Sequence, residues 1–115
     1  MDAIDTNGLP SVLVTLLAPW LAAIDTSEVG MGDHLTAMAA HSSMSLLHRI
    51  EPTPALERAF VDARAATDTL ALALDRKRTV PLWVCKAVRG AMSNLITTLR
   101  CAEPNAVTKE LGLGW

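Results

Sequence analysis

LPSVLVTLLAPWLAAI, residues 9–24, carries no charged side chain, and its only hydroxyls are Ser11 and Thr15. Val12, Leu16, Trp20 and Ile24 recur every fourth residue, and Leu13, Leu17 and Leu21 do the same one step on. That is the period of an α-helix. The two rows form an apolar arc wider than a surface helix needs, so this helix asks for cover on more than one side. The rest of the chain is expected to pack around it. Pro19 takes away the N–H that would reach the Thr15 carbonyl, which places a bend near Ala18. The stretch falls short of the ~20 apolar residues that span a bilayer. A core helix and no membrane contact are therefore expected. The opening MDAIDTNG is acidic where a secretion signal is basic, and residues 1–8 read as a flexible lead.

Three more helices follow. In DTSEVGMG, residues 25–32, Gly30 and Gly32 read as turn breakers, and Asp33 reads as the N-cap of a helix over 34–49. Leu35, Ala39, Ser42, Leu46 and Ile50 make its apolar row. Thr53–Pro54 is a strong start signal: threonine caps, proline takes the first helical position, and Glu57 follows where the helix dipole favours an anion. From there Leu56, Phe60, Ala63, Thr67, Leu70 and Leu74 form a heptad seam. Arg58–Asp62 and Arg64–Asp68 are spaced to pair along its wet side. Val80–Pro81, after Thr79, opens a fourth helix over 81–102. Its inner row is Val84, Val88, Ala91, Leu95, Leu99 and Ala102, flanked by Cys85 and Met92; Gly90 marks a small cost or a close approach. Residues 104–115 read as a C-terminal extension. Four helices with short connections predict an all-α, single-domain four-helix bundle with antiparallel neighbours.

Half of the 115 residues are hydrophobic, which excludes a disordered chain, and the scarcity of aromatics makes the core aliphatic. Cys85 and Cys101 fall ~24 Å apart on one helix, beyond disulfide reach. Two free thiols, expected to be mostly buried, suit a reducing cytoplasm. The net charge of −2 is uneven. Residues 1–75 hold ten acids and three bases, while residues 76–115 hold two acids and seven bases. Attraction between the halves accounts for this, and a basic binding face is the other reading.

Few features point to function. Met31, His34, Met38, His41, Met44 and His48 lie along one stripe of the second helix. Such donors suit copper or haem iron. Successive histidines are ~10.5 Å apart, however, so they cannot share one metal; only adjacent pairs such as His34–Met38 or Met44–His48 could chelate one, with ligands from elsewhere. Methionine also packs adaptably at binding surfaces. Arg76, Lys77, Arg78, Lys86, Arg89 and Arg100 make a basic face that could meet phosphates. Without aromatic interleaving, nucleic-acid binding is a minor alternative. No nucleophile turn, oxyanion loop or carboxylate pair marks a catalytic residue, and no metal site or cofactor is expected. Trp83, Trp115, Val61 and Leu72 remain as apolar residues that the predicted core does not use. With Met38, His41, Met44 and His48 they are the candidate surface for another protein or a second copy. The expected function is a non-catalytic protein-binding module, an adaptor, inhibitor or assembly factor that self-associates. The alternatives are a soft-metal or small-ligand carrier and a nucleic-acid accessory protein.

Overall fold

The computed structural model describes residues 6, 8–26, 31–51, 53–76 and 80–101. They form four helices: α1 (Ser11–Asp25), α2 (Gly32–Arg49), α3 (Pro54–Asp75) and α4 (Leu82–Arg100). Each packs on its successor in the chain. Gly32 at the start of α2 lies against Ala71 and Asp75 at the end of α3, so these two run antiparallel. Gly8, ahead of α1, lies against the Arg100 side chain, and Asp25 at the other end of α1 pairs with Arg89, so α1 and α4 also run antiparallel. The result is the expected four-helix bundle with antiparallel neighbours.

The core is aliphatic apart from Trp20 and Phe60. All six seam residues of α3 and all five of the α2 row are buried. The start of α3 is as its sequence dictates. The Thr53 hydroxyl accepts a hydrogen bond from the Leu56 N–H at 3.2 Å, and Pro54 occupies the first turn. On α4 the buried set is Val84, Val88, Met92, Leu95, Ile96 and Leu99. Ile96 belongs to it and Ala91 is only half-buried, so the inner face is rotated slightly from the expected row.

α1 is a corner of the bundle rather than its hub. It buries Leu13, Leu17, Trp20 and Ala23, a stripe drawn from both apolar rows, and packs chiefly on α2. Val12, Leu16, Leu21 and Ile24 lean against the core half-covered. One hydrogen bond ties α1 to the opposite helix. The Trp20 indole Nε1 donates to Thr67 Oγ1 at 3.1 Å, and that hydroxyl donates to the Ala63 carbonyl at 2.7 Å. All of this is buried, where an unpaired donor would cost about 1–3 kcal/mol.

Several local expectations change. α2 starts at Gly32, with Met31 in the capping position and no side-chain cap; Asp33 sits inside the first turn instead. Gly32 is not a breaker. It is buried, and a Cβ there would strike the Ala71 carbonyl oxygen and the Asp75 carboxylate, so glycine permits α2 to close on α3. Gly90 has open space around it and marks no close approach. Pro81 precedes the first residue of α4 as its N-cap. Arg64 and Asp68 do not pair, nor do Arg58 and Asp62; Arg64 turns instead across to α2. Cys85 is half-buried and Cys101 exposed, both free, so the thiols are less covered than expected. Among the described residues no helix is long and apolar enough to cross a membrane.

Candidate functional site

The chemistry-bearing residues read from the sequence are dispersed. On α2, Met31, His34, His41, Met44 and His48 are exposed, whereas Met38 is half-buried against the core. The stripe is therefore not one continuous surface, because Met38 turns to the inside of the bundle. No three His, Cys, Asp or Glu side chains gather within reach of one metal ion among the described residues. The basic residues are spread as well. Arg89 Nη2 lies 3.8 Å from Asp25 Oδ1, which joins α4 to α1 and takes Arg89 off the expected face. Arg100 lies beside Gly8 at one end of the bundle, while Arg76 is exposed at the other. Lys86 is exposed on α4 between them. Lys77, Arg78 and Trp115 lie outside the described residues.

Two of the surplus apolar residues, Val61 and Leu72, lie on the outer side of α3 about three turns apart. Its buried seam faces inward, and a second row runs down its outer side: Val61, Ala65, Asp68 and Leu72. These follow each other at 4, 3 and 4 residues, again the heptad spacing, so they form one ridge. Val61 is 65% exposed and Leu72 52% exposed. A groove lies on each side of this ridge. On the α2 side, Leu47, Phe60 and Val61 line it with Ser43, Arg64 and Asp68, enclosing about 440 Å³. On the α4 side, Leu72, Pro81, Trp83 and Val84 line it with Thr69 and Arg76, enclosing about 350 Å³. Trp83 is 64% exposed on the rim of that second groove. Val61 and Leu72 are therefore neighbours of different helices: Val61 belongs with Leu47, and Leu72 with Trp83.

Polar groups border the ridge on both sides. Glu57 and Arg58 stand at its start, and Asp75 and Arg76 at its end, all exposed. Arg64 is half-buried. Its Nη1 donates to Ser43 Oγ at 3.2 Å, and Ser43 in turn donates to the Ala40 carbonyl at 3.1 Å. Arg64 Nε is buried with no hydrogen-bond partner. Arg64 thus lines the α2-side groove as a half-buried guanidinium tied to α2.

One more cleft, of about 240 Å³, lies among α1, α3 and α4, lined by Ile24, Leu70, Leu74, Val80, Cys85 and Val88. Arg89, held by Asp25, stands at its rim. It is smaller than the ~300–1,000 Å³ of most ligand pockets and has no convergent set of polar groups.

Leu47 is the ridge neighbour that sequence reasoning missed. The signal was present in Leu46–Leu47: a single inward row holds only one of two adjacent leucines, so the other must face elsewhere. Phe60 belongs to the buried seam, and its edge also lines the groove. Comparison with protein-family models, with curated proteins and with solved structures finds no match to this chain.

Proposed function

We propose that this chain is a non-catalytic protein-binding module of the cytoplasm, acting as an adaptor, inhibitor or assembly factor through the outer ridge of α3 and its two grooves. The observation that carries the reading is the alignment of Val61 and Leu72, both more than half exposed, with Leu47 and Trp83 beside them. Exposed apolar residues scattered singly need no explanation, whereas contiguous ones rimmed by charge mark interaction surfaces. Tryptophan is the residue type most favoured at the energetic centre of such surfaces. The free thiols of Cys85 and Cys101 suit the reducing compartment.

The test is a comparison of wild type with Val61→Asp/Leu72→Asp. Both positions are solvent-facing, so the variant should keep its helical circular dichroism and its unfolding midpoint. Proteins captured by the wild-type chain in its native cell would be purified, and their direct binding measured by calorimetry. Binding should fall by at least about a hundredfold in the variant, the ~3 kcal/mol expected when charge enters an apolar contact. Unchanged binding of every such protein by the folded variant would refute the assignment of this surface.

A further inference from the structure

We infer that the ridge of α3 binds a second copy of this chain, α3 crossing its counterpart antiparallel about a two-fold axis between Ala65 and Asp68. This rests on the reading of the ridge as an interaction surface, and it names the occupant.

The argument is self-complementarity. A two-fold interface uses one patch twice, so each residue must meet a suitable residue of the same patch. In an antiparallel pair of helices centred between Ala65 and Asp68, position numbers that meet across the interface add to a constant. Val61 then meets the partner's Leu72, and Leu72 meets the partner's Val61. Each apolar residue enters a groove already formed in the other copy. The partner's Val61 seats beside Leu72 and Trp83, and the partner's Leu72 seats beside Val61 and Leu47. Ala65, at the crossing point, is small enough for the backbones to approach.

The charges follow the same rule. Glu57 lies on the α2 side of the ridge, lining the groove with Leu47, and Arg76 lies on the α4 side, lining the groove with Trp83. A crossing angle of about −50°, the commonest helix packing, carries the end of one α3 over the start of the other. It sets Arg76 against the partner's Glu57, twice by symmetry. Near the axis each Asp68 meets the partner's Ala65 and comes within about a turn of the partner's Asp68, a repulsion if left alone. Arg64 lies one turn away on the same groove wall and comes against the partner's Asp68. A parallel arrangement would instead set Val61 on Val61 and leave Arg76 far from every Glu57, so the antiparallel register is the one that uses all four features.

The experiment is sedimentation equilibrium of the full chain in wild-type form and as Glu57→Arg, Arg76→Glu and the double variant Glu57→Arg/Arg76→Glu. Wild type should dimerise. Each single variant places like charges together at two symmetric points and should weaken the dimer by at least about tenfold. The double variant restores opposite charges and should recover most of that loss. A second measurement fixes the register in a Cys85→Ser/Cys101→Ser background. A mixture of Val61→Cys and Leu72→Cys chains should form a disulfide under mild oxidation. Val61→Cys alone should not, because the two copies of residue 61 are ~16 Å apart along the axis. Disulfide formation by Val61→Cys alone would overturn the antiparallel register. A wild-type chain that stays monomeric at several hundred micromolar would overturn the dimer. If purified captured proteins still lose binding to Val61→Asp/Leu72→Asp in that case, the ridge remains a binding surface and only its occupant was misassigned.

Discussion

α1 and α3 each carry more apolar surface than one face of a bundle can cover, and they place the excess differently. On α1 the surplus residues Val12, Leu16, Leu21 and Ile24 flank the buried stripe and are half-covered by their neighbours. On α3 the surplus residues Val61 and Leu72 stand on the side away from the core and are more than half exposed. The amount of apolar surface is thus a poor guide to interaction sites, because its angular position decides. Residues within about 50° of an inward stripe are shaded by adjacent helices, whereas those opposite it have only solvent or a partner to meet.

Four substitutions test that difference, each measured by urea unfolding at a concentration low enough to keep the chain monomeric. Leu17→Ala removes a fully buried side chain from the inward stripe of α1. It should cost roughly 2–5 kcal/mol, the range for large-to-small core changes. A cost under half a kilocalorie would mean that the stripe is not core at all. Gly32→Ala inserts a Cβ against the Ala71 carbonyl and Asp75 at the α2–α3 contact. About 1–3 kcal/mol should be lost through overpacking, and an alanine that leaves stability unchanged would show that α2 and α3 do not close there. Leu16→Ala probes the shaded flank of α1. Partial burial predicts a loss of roughly 1 kcal/mol, a fraction of the ~1.5–3 kcal/mol for a fully buried leucine; a loss as large as that of Leu17→Ala would erase the distinction between stripe and flank. Val61→Ala probes the outer ridge of α3 and should change monomer stability by less than about 0.5 kcal/mol. A larger loss would place Val61 within the fold and remove it from the candidate surface.

The seam of α3 was legible because each signal there agreed with the next. Thr53 and Pro54 start the helix, the heptad spacing gives the inward face, and the structure uses both unchanged. The candidate site was legible only in part. Val61, Leu72 and Trp83 could be named as leftovers, since no predicted row used them. That Leu47 joins Val61, that Trp83 joins Leu72, and that Met38 leaves its stripe for the core depend on how α2, α3 and α4 rotate against one another. Arg64 shows the same limit. Its sequence spacing offered Asp68, one turn away, but the packed helices offered Ser43 on α2 at 3.2 Å.

The sequence by itself determined the all-α class, the number of helices, the seams of α2 and α3, and the Thr53–Pro54 start of α3. These are local properties, set by a 3.6-residue period and by backbone groups within a turn of each end. Only the tertiary structure decided that α1 is a corner, that Gly32 is a contact point, and that α3 keeps Val61 and Leu72 uncovered. A helix defines the angles between its own side chains. Which of those angles faces a neighbour is fixed by interdigitation with other helices, distant in sequence, and no periodicity within one helix contains that information.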